Sequence, residues 1–227
     1  MKTLKIVLLF AFTFVILPKL YSQNINWESL QKNQKHIAHF NGHWEYALGF
    51  GAAYGYQLNS KTPVVLNASF SKPAGEKVLD DFKTRIGAQF RIMKINTFQV
   101  TASVQAIYRR YQNPLVRIQN FGSELGLNVG YFRPRFFIAG EFGFDKAILT
   151  NFKHAESFKT NFDPDVRDGW YQPSTGGNFN YGIVSGYSFG QSDITFKIGM
   201  VLSQDLKTTP FVPFYAQLGY NFRFGGK

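Results

Sequence analysis

The sequence predicts an all-β chain: an antiparallel up-and-down transmembrane β-barrel of about ten strands, with eight as the alternative count. Three observations lead there. Apolar residues alternate with polar or small ones along most of the chain, the connections between these runs are short and long by turns, and no run beyond the N-terminus is apolar for long enough to cross a bilayer as a helix, which takes about 20 residues. Period-two alternation gives each strand two chemically different faces. In hydrocarbon only a helix or a closed barrel satisfies every backbone polar group.

The chain opens "MKTLKIVLLFAFTFVILPKLYSQ", where Lys2 and Lys5 precede an apolar run from Ile6 to Leu17 and Ser22-Gln23 offers a cleavage point. This pattern reads as a secretory signal peptide over residues 1–22. Residues 23–42 follow as an N-terminal segment with a possible first strand at Gln34–Phe40, and the barrel is assigned to 43–227. Within it "HWEYALGFGAAYGYQ" sets Trp44, Leu48, Phe50, Tyr54 and Tyr56 against Glu45, Gly49, Gly51 and Gly55. A shorter run covers Pro63–Phe70. "DFKTRIGAQFRIM" then places Phe82, Ile86, Phe90 and Ile92 opposite Lys83, Arg85, Gln89 and Arg91. The pattern recurs at Thr97–Arg110, Phe121–Tyr131, Phe137–Ile148, Asn178–Phe189, Asp193–Ser203 and Phe211–Phe224. That makes nine evident strands, and because bacterial single-chain barrels are even-numbered, Gln34–Phe40 is the candidate for the tenth.

Glycine is frequent on the polar face. Glycine weakens a strand unless a backbone approaches closely or the sheet bends, as it does on the concave side of a small barrel. Short links occur near Met93–Asn96, Phe132–Pro134 and Gly190–Ser192, with a modest one at Leu58–Pro63, whereas the connections between them are longer, above all the 28-residue segment Thr150–Gly177. Short periplasmic turns and longer external loops are the rule in outer-membrane barrels. On these features the chain resembles the small outer-membrane β-barrel proteins of Gram-negative bacteria, porin-like and outer-membrane-protein-X-like. Its ending, Tyr220-x-Phe222-x-Phe224, is similar to the family's aromatic terminal signal, although here Gly225, Gly226 and Lys227 follow. The resemblance implies an outer-membrane location, contact with outer-membrane lipid and lipopolysaccharide, and insertion by the barrel-assembly machinery.

The inward face collects Glu45, Asp81, Lys83, Arg85, Arg91, Arg109, Glu124, Glu141, Asp145, Asp193, Lys197 and Arg223. Six are acidic and six basic, so the net charge of +11 falls mainly on turns and loops. A barrel of eight to ten strands is about wide enough inside for its own side chains, so paired charges predict a plug in place of an aqueous channel. The positive balance suits anionic headgroups or phosphorylated glycans. No compact basic run with interleaved aromatics marks a nucleic-acid partner.

The Thr150–Gly177 loop carries His154, Glu156, Asp163, Asp165, Trp170 and Tyr171. Loops of that length are uncommon and usually functional or disordered, and this mixture suits contact with a partner chain, a surface glycan or lipopolysaccharide. Asp163-Pro164-Asp165 with Asp168 lacks the EF-hand pattern. His36, His39 and His43 read as a solvated rim cluster: on a strand His36 and His39 point to opposite faces, and no zinc-protease motif accompanies them. No metal or cofactor is expected. The enzyme alternative is a lipid A-modifying barrel in which His154 acts with Ser157 or Glu156, since nucleophilic catalysis needs a base within hydrogen-bond reach of the nucleophile. A narrow-pore porin is the third reading.

Overall fold

A computed structural model describes residues 24–31, 33–45, 47–75, 79–173, 176–208, 210 and 212–225; the signal-peptide assignment lies outside them. The strands are β1 (His36–Trp44), β2 (Leu48–Gln57), β3 (Val64–Pro73), β4 (Asp81–Ile95), β5 (Phe98–Gln112), β6 (Val116–Phe132), β7 (Phe136–His154), β8 (Gly169–Tyr171), β9 (Gly177–Phe189), β10 (Ser192–Ser203) and β11 (Phe214–Phe224), with one helix, α1 (Glu156–Asn161). Ten of them form an antiparallel meander in which each pairs with its chain neighbours. The meander closes where β1 meets β11, from His36 opposite Phe224 to Trp44 opposite Ala216. The eleventh, β8, pairs only with the upper part of β7.

The expected tenth strand is therefore present, as β1, and runs on to Trp44. The run expected as one strand through Gln57 divides into two: β1 ends at Trp44 and β2 begins at Leu48. The start of β1, the end of β11 and the β2–β3, β4–β5, β6–β7 and β9–β10 turns share one end of the barrel, the termini end. The longer connections gather at the other, the loop end.

The burial profile is inverted relative to a water-soluble fold. On β4, Arg85 is 3% exposed while its neighbour Ile86 is 69% exposed. Outward positions elsewhere carry Val104, Leu125, Phe142, Ile183, Phe196 and Leu218, all exposed. Soluble monomers rarely show apolar patches beyond a few hundred Å², whereas here the apolar surface encircles the barrel. Two bulges alter the alternation. One at Ile92 brings Lys94 opposite Gln99, on the inward face. The other, at Ile148, turns Thr150 inward to meet Asn120 at 2.8 Å.

Aromatic rings bound this band at both ends. At the loop end Phe70, Phe82, Tyr108, Phe121 and Trp170 form a chain of contacts with centroids 5.0–6.0 Å apart. At the termini end His36 lies against Tyr54, Tyr56 and Phe224, and Tyr131 against Phe136. Ten residues separate Phe121 from Tyr131 on β6. At about 3.3 Å per residue and a tilt of about 40°, the two girdles stand about 25 Å apart, the height of the apolar band of a membrane barrel.

The hydrophobic core lies inside the termini end. Ile25 and Trp27, from the segment before β1, pack with Ile37, Val65, Phe132, Phe137, Ala139 and Val184. Phe137 stacks on Phe132 with centroids 5.2 Å apart, and Gly186 makes the space: a Cβ there would stand 2.4 Å from the Phe137 ring.

Candidate functional site: the filled lumen and the loop-end cap

Three tiers of polar contacts fill the barrel. In the tier nearest the loop end, Asp145 accepts a hydrogen bond from Arg109, pairs with Lys83 at 3.9 Å and receives Asn178 Nδ2 at 3.4 Å. In the middle tier Arg85 Nε donates to Glu124 at 2.8 Å, with both side chains largely buried. Across from it Glu141 takes Lys197 Nζ at 2.6 Å and the Tyr215 hydroxyl at 3.0 Å, and Lys197 lies 5.2 Å over the Tyr215 ring. Gly182 and Gly199 admit that phenol, since a Cβ would come within 2.8 and 2.4 Å of its oxygen. Glu45 lines the space above, a cavity of about 60 Å³ shared with Lys83, Arg85, Glu124 and Lys197.

The third tier belongs to the N-terminal segment. Glu28 receives Arg91 at 3.2 Å, Lys94 at 2.7 Å and Gln99 Nε2 at 2.6 Å. Asn26 Nδ2 donates to the Ser188 hydroxyl at 2.8 Å and to the Arg133 carbonyl at 2.9 Å. Asn221 Nδ2 donates to the Asn24 carbonyl at 2.7 Å, and Arg223 donates to the Ser29 carbonyl while pairing with Asp193 at 3.2 Å. Residues 24–31 thus plug the termini end. A second cavity, of about 30 Å³, lies between Asn24, Gln89, Glu124, Glu141 and Lys197. A water needs roughly 10–15 Å³, so each chamber holds at most a few.

The twelve charges assigned to the inward face all hold inward register positions or line the lumen cavities, and the six residues assigned to the loop lie at or beyond the loop-end rim. Sequence reasoning missed Glu28 and Tyr215. The signal for the first was Ile25, Trp27 and Leu30, three apolar residues in an otherwise polar stretch ahead of the first strand. The histidine cluster needs correction. His36 does face outward, but His39 and His43 are buried in the lumen and not solvated. His39 Nδ1 meets Asn221 Oδ1 at 2.6 Å, its Nε2 meets Asn41 Nδ2 at 2.9 Å, and His43 meets Asn41 Oδ1 at 3.3 Å. The strand continues past Phe40, so every second side chain from Ile37 onward turns inward.

The long loop is also more ordered than its length suggests. β7 extends to His154, α1 follows, and β8 returns along β7 with Trp170 opposite Asn151. Asp168 ties these parts together: its Oδ1 accepts from the His154 amide at 2.8 Å and lies 2.9 Å from His154 Nδ1, and its Oδ2 pairs with Lys159 at 3.2 Å. These contacts hold the Asp168 carboxyl well below the usual range, the His154 backbone donor contributing most. Lys159, held by Asp168 and Glu156, is raised. The His154 ring sits between Phe152 and Phe158, and Phe158 leads on to Phe162. Asp163 Oδ1 accepts from the Asp165 amide at 3.0 Å, forming a turn.

The fold and lumen define a class: a closed ten-stranded antiparallel up-and-down barrel with a filled interior. No family model and no curated protein matches the sequence. Among solved structures, the crystal structure of the N-terminal β-barrel domain of Pseudomonas aeruginosa OprF is similar at 14% identity and a TM-score of 0.41, over 85% of this chain and 99% of that one.

Proposed function

We propose that this protein is an integral outer-membrane barrel, non-enzymatic and non-conducting, that presents an ordered cap at the cell surface to a partner chain, a surface glycan or lipopolysaccharide. The observation that carries the reading is the inverted profile: a continuous outward apolar band between two aromatic girdles, around an interior of paired charges. Lipid-facing apolar bands with aromatic girdles at both interfaces are what a bilayer selects. The termini end, with its short turns, faces the periplasm, and the loop end faces outward. Tyr220, Phe222 and Phe224 lie exposed on the outward face of β11, accessible to the assembly machinery.

The plug and the ion pairs stand in series along the lumen, which argues against a pore. The enzyme reading lacks its nucleophile: no serine among the described residues shares a hydrogen bond with His154, whose Nδ1 faces Asp168 and whose ring is flanked by Phe152 and Phe158. The cap offers exposed Phe162, Trp170 and Tyr171 beside exposed Glu156, Asp163 and Asp165, a surface suited to sugar rings and polar groups.

The test is gel mobility of outer-membrane extracts with and without boiling, followed by planar-bilayer recording of the same protein. A heat-dependent shift without conductance steps is the expected result. A soluble periplasmic protein with no shift would refute the membrane assignment, and discrete steps would refute closure.

A further inference from the structure

Just beyond the loop-end girdle, on the outward face, three adjacent strands carry Arg110, Arg117 and Lys153. Arg110 on β5 follows Tyr108 by two residues and pairs with Gln119 on β6. One step further out Gln112, Arg117 and Lys153 stand in register across β5, β6 and β7. A two-residue step along a strand is about 7 Å. The cations therefore occupy the first one or two steps above Tyr108 and Phe121, where the headgroup layer begins.

Two features favour an anion at this arrangement. Arg117 and Lys153 are directly opposite each other, a like-charge pairing that destabilises a sheet. None of the three cations forms an ion pair among the described residues; Arg110 donates from Nη2 to Gln112 Oε1 at 2.7 Å, and the Nε donors of Arg110 and Arg117 are shielded from solvent without an acceptor. Buried donors are normally satisfied. Of the carboxylates nearby, Asp168 is committed to His154 and Lys159 and Asp81 to the inward face of β4, while Asp80, whose backbone carbonyl accepts from the Gln112 amide, borders the site beside Gln112 and forms no ion pair with the three cations among the described residues.

Resting on the membrane placement proposed above, we infer that Arg110, Arg117 and Lys153 bind the phosphate groups of an outer-leaflet glycolipid. The guanidinium forks take phosphate oxygens in pairs, Lys153 supplies a third cation, and Tyr108, Phe121 and Trp170 lie beneath for the start of the acyl region. A bridging phosphate also removes the repulsion between Arg117 and Lys153.

The full mature chain in detergent micelles is titrated with lipopolysaccharide, with the same glycolipid after enzymatic dephosphorylation, and with inorganic phosphate alone. Binding is read by native mass spectrometry at low salt. Wild type retains the phosphorylated glycolipid, and the triple variant Arg110→Gln/Arg117→Gln/Lys153→Gln binds it on the order of a hundredfold more weakly, as three lost cations near an anionic surface imply. The dephosphorylated lipid binds wild type no better than the variant binds the intact one. A control with the same charge loss at the other end, Lys61→Gln/Arg133→Gln/Arg135→Gln, keeps wild-type affinity. Equal affinity in wild type and triple variant, both heat-modifiable, overturns the site. Saturation by inorganic phosphate that displaces the glycolipid assigns it to free phosphate instead and overturns the lipid. Loss of heat modifiability in wild type marks failure of the membrane reading itself.

Discussion

At the scale of single residues, the lumen depends on pairing. Arg85 and Glu124 are both largely buried, and removing one partner of such a pair costs about 3–5 kcal/mol. Glu124→Leu is expected to lose stability in that range by denaturant unfolding in detergent, while Arg85→Leu/Glu124→Leu recovers most of it, because no charge is then stranded. The loop-end clasp gives a pH prediction. Asp168 is depressed in the folded state, so its contribution is fully present above the unfolded carboxylate value of about 3.9 and is lost only as pH falls through the lower folded value. Protection of the α1–β8 connection from proteolysis, which depends on the Asp168 contacts, should not be lost through titration of Asp168 between pH 7 and 4 and should fall in stronger acid; Asp168→Ala should remove it at pH 7. The lumen charges were legible because period-two parity places every second residue. Lys94 was not: the bulge at Ile92 inserts one residue and reverses parity beyond it, and nothing local in the sequence marks that insertion.

At the scale of elements, the strands were legible and the aperiodic segments were not. A strand's faces repeat along the chain, whereas Asn24, Asn26 and Glu28 find partners more than sixty residues away, on β5, β9 and β11. The same holds for the cap. α1 and β8 are short, and β8 exists because β7 continues beyond β9 and offers it an edge. Deleting residues 24–31 removes Ile25, Trp27 and Glu28 yet leaves the two upper tiers of ion pairs intact. Planar bilayers should therefore stay silent with this variant; conductance steps from plug deletion alone would mean that the upper tiers do not seal. In the cap, trypsin should cut slowly after Lys159 and Arg167 in wild type and at least severalfold faster in Asp168→Ala, because that carboxylate joins β7 to the α1–β8 connection.

At the scale of the whole molecule, placement in a bilayer predicts depth. Trp44 and Trp170 are exposed on the outward surface at the loop end, while Trp27 is buried inside the termini end. In vesicles with brominated lipids, single-tryptophan variants retaining Trp44 or Trp170 should be quenched most by bromine near the headgroups, and the variant retaining Trp27 should be quenched little at any depth. Quenching of Trp27 equal to the other two would contradict its enclosure.

The plug also imposes an order of events. Asn24 and Ser29 bind Asn221 and Arg223, so the segment ahead of β1 holds β11. That strand must align against β1 before those partners stand in place, which makes the N-terminal segment a latch that drops only after the seam has zipped. A chain with a misregistered seam would leave residues 24–31 without their partners on β11, exposed to proteases as unfinished.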